Sequence, residues 1–141
     1  MRLLVVFLYI GFLFIMTCTA SFTDLIEHQQ IRFLVTDQPD FWSFFEYRSF
    51  PYSDPGYISQ KAGHALCFFM LAVLLKTLFH SFKAVITVSW VFALITEIAQ
   101  MYFSRTGCLV DVMYDSGGIM LFLMVHYLSR AAARSTDIFD T

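Results

Sequence analysis

Four apolar stretches, 3–20, 62–79, 84–103 and 110–128, divide the chain. The first holds no charge, the second has Lys76 near its far end, the third carries Glu97, and the fourth carries Asp111 and Asp115. Each approaches the roughly 20 residues that a helix needs to cross about 30 Å of hydrocarbon. Inside hydrocarbon a helix is the open-chain solution, because every backbone amide must be satisfied within its own segment. The pattern therefore predicts an all-α fold, a polytopic membrane helix bundle of about four transmembrane helices.

Between the first two stretches lies a long segment, 21–60, dense in aromatics: Phe33, Phe41, Trp42, Phe44, Phe45, Tyr47, Phe50, Tyr52 and Tyr57. Leu25, Ile26, Ile31, Phe33 and Leu34 suggest a short helix within 24–35, and Pro39, Pro51, Pro55 and Gly56 break the remainder of the segment into turns. Aromatic residues with scattered charge suit a partly helical outer loop on the membrane surface. Such a loop either covers a site or simply anchors the chain. The chain thus divides into a first helix (1–20), the outer loop (21–60), a three-helix core (61–129) and a tail (130–141). Read as a signal peptide, the first stretch has Arg2 at its start and a tolerable cleavage site at Cys18-Thr19-Ala20. Its apolar run exceeds the usual signal core of about 7–15 residues, which favours an uncleaved helix.

Composition strengthens this reading. Apolar residues make up 58% of the chain and charged residues only 14%, against about a quarter charged in soluble domains. A chain so poor in charge cannot cover its own core, so lipid must. The net charge of −2, with no basic patch, speaks against a nucleic-acid partner. If the helices alternate in direction, Arg2, Lys76, Lys83, Arg130 and Arg134 share one side and Arg32, Arg48, Lys61 and Arg105 the other. The slight basic excess on the first side puts both termini in the cytoplasm. Cys18, Cys67 and Cys108 are odd in number, and apolar packing explains them better than a disulfide. No CxxC pair signals a thiolate zinc site.

Candidate chemistry gathers at one depth. Lys61 and His64 stand three apart at the start of the second stretch, and Glu97 and Gln100 three apart near the end of the third. Asp111 and Asp115 stand four apart at the start of the fourth, with Arg105 in the connection before it. Spacings of three and four put both members of a pair on one helix face. Alternating helices bring all three pairs and Arg105 to the outer boundary of the bundle. Ionisable groups inside spans are costly, so they normally face the bundle and either pair with one another or bind something. A salt-bridge network tying helix ends together explains any one pair, whereas their convergence favours a pocket. Gly117 and Gly118 fit close helix packing, as do Ser89, Ala93 and Thr96 on the third stretch. His126 lies at the opposite, inner boundary.

The order Lys61-x-x-His64, Glu97-x-x-Gln100, Arg105 with Asp111 six residues on, and then Gly118, resembles the VanZ-like family of small bacterial membrane proteins. The resemblance covers 59–128. It departs from the family pattern at Gln60, where an Asp is usual, at Cys108, where Ser or Thr is usual, and at Asp115, where Asn is usual. The resemblance implies a cell-envelope role and a contribution to resistance to the glycopeptide teicoplanin.

The chemistry of the cluster suits an anionic envelope lipid or lipid-linked glycan, which the protein would bind or modify at the outer leaflet. Lys61 and Arg105 would hold the anionic group. His64 would donate a hydrogen bond or shuttle a proton, Glu97 or Asp111 would act as general base, with Glu97 the better placed, and Gln100 would orient Glu97 or the ligand. Asp111 and Asp115 would pair with the bases or bind a divalent cation. The alternative is a non-catalytic binding or structural protein, which would hold the same lipid, or a glycopeptide with a lipid tail, without turnover. A transporter fits less well, since its charged or broken-helix features belong at mid-membrane. The sequence leaves open whether the protein is an enzyme, whether it needs a metal or other cofactor, and its oligomeric state.

Overall fold

The computed structural model describes residues 1–21, 25, 28–47, 51–103 and 105–139, the last five of these by backbone alone. Among them it is all-helical. Helix α1 spans Arg2–Cys18, α2 Pro55–Leu78, α3 Phe82–Tyr102 and α4 Leu109–Phe139, with a single 3-10 turn at Ser43–Phe45 before α2. Helices α2 and α3 and the Leu109–Arg134 part of α4 are each long and apolar enough to cross a bilayer. Helix α1 has 17 residues. At 1.5 Å rise per residue it is about 26 Å long, slightly less than the hydrocarbon thickness.

The core is narrow, as a bundle sheathed in lipid allows. Val6 and Leu13 of α1, Phe68, Leu71, Ala72 and Leu75 of α2, Val85 and Ala93 of α3, and Val112, Ile119 and Phe122 of α4 are buried against one another. Leu4, Leu8, Leu66, Val91, Met120 and Met124 instead stand on the outer surface. Ser89, Ala93, Thr96 and Gln100 are all buried, so the small-residue stripe is the packing face of α3.

Helices α2 and α4 form the most extensive contact of the bundle. They run parallel, since Lys61 meets Asp111, His64 meets Asp115 and Phe69 meets Phe122 in increasing order along both. Gly118 sets their approach: a Cβ there would fall on the backbone carbonyl of Ala65. Helix α1 is tied to α2 where the Tyr9 hydroxyl donates to the Cys67 carbonyl at 2.9 Å.

Two features of the connecting segment differ from the sequence expectation. Of the proposed short helix in 24–35, Leu25 and His28 are helical, residues 24, 26 and 27 lie outside the described set, and residues 29–35 are not helical. The reason is that this backbone bonds outward. The Arg32 carbonyl accepts from Ala20 N–H at 2.8 Å, and Thr36 N–H donates to the Tyr102 carbonyl at 2.9 Å. Phe33 packs with Phe14 and Phe103, so the segment docks across the ends of α1 and α3. Secondly, Pro55-Gly56 opens α2 rather than forming a separate turn. Asp54 is the N-cap and its carboxylate accepts from Tyr57 N–H at 2.8 Å. Proline at the first helical position loses nothing, because its missing N–H would have been unsatisfied there. Helix α2 therefore starts two turns before the apolar stretch does. The three cysteines are free, with Cys18 and Cys108 buried.

Candidate functional site

The N-terminal half of α2, the C-terminal turn of α3, the connection between α3 and α4, and the first turns of α4 meet at one end of the bundle. Asp111 and Asp115 lie four apart on α4, so both face α2. Lys61 Nζ approaches Asp111 Oδ1 at 2.5 Å, with side chains only 6% and 4% exposed. The Lys61 ammonium also lies 4.7 Å above the centre of the Tyr57 ring, one turn earlier on the same face. One turn deeper, His64 Nδ1 lies 3.1 Å from Asp115 Oδ1.

Glu97 enters from α3 and is wholly buried. Both of its oxygens have donors: Gln100 Nε2 at 2.6 Å on Oε1, and the backbone N–H of Cys108 at 3.0 Å on Oε2. Gly107 makes the second bond possible. It passes so close to the Glu97 carbonyl that any Cβ would overlap it, so the connection can reach the carboxylate only with glycine at this point. Burial pushes the Cys108 thiol up to about 11, so it stays protonated at neutral pH, and this residue serves Glu97 through its backbone.

Arg105 is fixed at its backbone, where its N–H donates to the Gln100 carbonyl at 3.0 Å. Its guanidinium reaches sideways and donates to the Thr19 carbonyl at 2.7 Å, satisfying the end of α1. Burial draws this guanidinium below its ordinary range, an effect that Glu97 and, more weakly, Asp111 oppose.

The structure thus brings Lys61, His64, Glu97, Gln100, Asp111 and Asp115 into one buried cluster, with Arg105 on its α1 side. Ligand atoms of His64, Glu97 and Asp115 lie within 4.8 Å of one another, as do those of Glu97, Cys108 and Asp111. Tyr57, Gly107, the Cys108 N–H and the Thr19 carbonyl belong to the site without being evident as site residues in the sequence. Of these only Tyr57 carries a signal there, its spacing of four from Lys61.

A cavity of about 470 Å³ adjoins the cluster between α1 and α2. His64, Gln100 and Arg105 supply its polar wall, and Leu13, Met16 and Phe68 supply its apolar wall. Gly63, Ser59 and Gln60 also line it and are exposed, so it opens at the side of the bundle. Lys61 turns away toward Asp111 and is not part of this wall. Residues 36–43 lie against Met101, Arg105 and Thr106, enclosing a second hollow of about 340 Å³.

The sequence profile of the VanZ/LLP1 family matches residues 6–130 of the chain. The uncharacterised membrane protein YwnJ of Bacillus subtilis (strain 168) is 34% identical over 122 residues, covering 86% of this chain and 87% of YwnJ. No solved structure matches the chain.

Proposed function

The chain belongs to the VanZ/LLP1 family of membrane proteins, and on that premise we propose that it binds an anionic envelope lipid or lipid-linked glycan in the cavity between α1 and α2. The carrying observation is the amphipathic lining of that cavity. Arg105, His64 and Gln100 supply its polar wall, while Leu13, Met16 and Phe68 supply its apolar wall. A phosphate set against the guanidinium and imidazole would leave its acyl or prenyl chain along the apolar wall. The side opening lets a lipid enter from the bilayer without crossing water. In this reading the polar end faces the outer leaflet of the cytoplasmic membrane, with both termini in the cytoplasm.

Binding rather than turnover is the better reading of Glu97, because donors already occupy both of its oxygens and fix the carboxylate as an acceptor. Retention of a lipid-linked glycan would then contribute to teicoplanin resistance in proportion to the amount of protein present. The test is binding of a polyprenyl phosphate, with phosphatidylcholine as the zwitterionic control, by detergent-purified wild type and Arg105→Gln. Loss of a charged hydrogen-bond donor is worth about 1.5–3 kcal/mol, on the order of 10- to 100-fold in affinity. Equal affinity of the two proteins, or equal binding of the control lipid, would overturn the reading. In a sensitive Gram-positive host at matched membrane levels, wild type is expected to raise the teicoplanin concentration needed for inhibition and Arg105→Gln is not.

A further inference from the structure

Unless His64 is protonated against Asp115, the charges of the cluster do not balance within it. Glu97, Asp111 and Asp115 are three carboxylates at 0%, 3% and 0% exposure. Lys61 is the cation placed directly on one of them, Asp111. Arg105 spends its guanidinium contact on a backbone carbonyl. A buried carboxylate lacking a compensating charge is strongly disfavoured, and such groups are normally paired or bound to metal. One atom marks where the deficit falls: Asp115 Oδ2 is fully buried and has no hydrogen-bond partner among the described residues.

We infer that His64, Glu97 and Asp115 form a site for one divalent transition-metal ion, Zn²⁺ or Mn²⁺, at the inner wall of the cavity. The donor set is one imidazole and two carboxylates, contributed by three different helices, and its atoms already lie within 4.8 Å of one another. An ion held at about 2.0–2.1 Å by two neighbouring ligands separates them by roughly 2.9–3.4 Å. The 3.1 Å between His64 Nδ1 and Asp115 Oδ1 falls inside that interval. Glu97 offers an oxygen within 4.8 Å of both, and each of its oxygens retains a lone pair beyond the bond it accepts.

The bonds from Gln100 and from Cys108 N–H become the outer support that orients a ligating carboxylate. Imidazole suits zinc and carboxylate suits manganese, so the mixed set points to these ions rather than to calcium. Asp111 is left out because Lys61 neutralises it, and with it the second group, Glu97, Cys108 and Asp111, which depends on that carboxylate. His64 also lines the cavity, so the ion would keep an open position on that side. A phosphate oxygen taking that position rests on the lipid-binding reading; the metal site itself does not.

The test uses full-length protein in detergent with any affinity tag removed, dialysed against Zn²⁺ or Mn²⁺ and then against buffer. Metal content is read by mass spectrometry alongside the thermal unfolding midpoint. One ion per wild-type chain is expected, with a midpoint that falls on chelation and recovers on readdition. Asp115→Asn and His64→Gln should each lower retention at least tenfold, while Cys108→Ser should retain the ion. Substoichiometric metal in wild type, a midpoint indifferent to chelation, or unchanged retention in both ligand variants would overturn the site. The wild-type chelation arm decides even if a variant fails to fold. Polyprenyl phosphate binding before and after chelation separates the two proposals. Lipid binding by a wild type that retains no metal sinks only the metal site, and metal retained without lipid binding sinks only the lipid reading.

Discussion

An ammonium and a carboxylate withdrawn from water each lose hydration worth several kcal/mol, and only close, well-made contact between them returns it. Lys61 and Asp111 are such a pair, at 2.5 Å and nearly inaccessible to water. Removing one partner strands the other, and breaking a buried pair this way costs about 3–5 kcal/mol. Lys61→Met alone and Asp111→Asn alone should therefore unfold at clearly lower denaturant or temperature in detergent. The double variant Lys61→Met with Asp111→Leu should recover most of the loss, because it strands nothing. If the single variants match wild type, water reaches the pair and the cluster is not sealed. These residues are visible in the sequence as polar groups at helical spacing inside apolar runs. Which carboxylate meets which base is not, because that depends on how α2 and α4 are rotated against each other. Nor is the turn of Arg105 to the Thr19 carbonyl, a group with no sequence signature.

Rotation and register of α2 against α4 are matters of whole elements, and the backbone decides them at Gly118. Because a side chain there would strike the backbone of Ala65, neither helix can yield by changing a rotamer. Gly118→Ala should cost about 1–3 kcal/mol or more by overpacking and disturb the Lys61–Asp111 and His64–Asp115 contacts with it. Gly117 has open space around its Cβ position. Gly117→Ala should therefore leave stability unchanged or raise it by up to about 1 kcal/mol through helix propensity. A comparison of unfolding midpoints checks both, and equal effects would mean that Gly118 does not set the approach. Two neighbouring glycines look alike in sequence, and only the geometry separates the one that packs. The start of α2 is hidden for a related reason. Hydropathy marks the apolar part of a helix, and the first two turns, with Ser59, Gln60 and Lys61, are polar. Asp54-Pro55 is a helix start signal, but the same residues with Gly56 beside them also fit a turn. The far end of α4 outlasts its apolar stretch similarly, since Ala131, Ala132 and Ala133 favour helix without contributing a membrane face.

For the molecule as a whole, the decisive property is that a polar cluster and an apolar cavity share a wall that opens sideways between α1 and α2. A cluster whose only task was to tie helix ends together would function equally well with that cavity filled. A binding site would not, and Gly63 allows the two to be told apart. It lines the cavity, and its Cβ position has no atom within 4 Å. A phenylalanine there can project into the opening without striking the core. Its ring buries on the order of 150–250 Å² against whatever surrounds it. Gly63→Phe should therefore keep the wild-type unfolding midpoint or exceed it, since replacing a helical glycine favours the folded state. The same variant should lose polyprenyl phosphate binding at least tenfold, while Gly63→Ala keeps it. A stable Gly63→Phe protein that binds lipid as wild type does would show that ligands do not use this cavity, and the polar cluster would revert to a structural clasp. A stable variant without lipid binding would tie the function of the protein to the space between its first two helices.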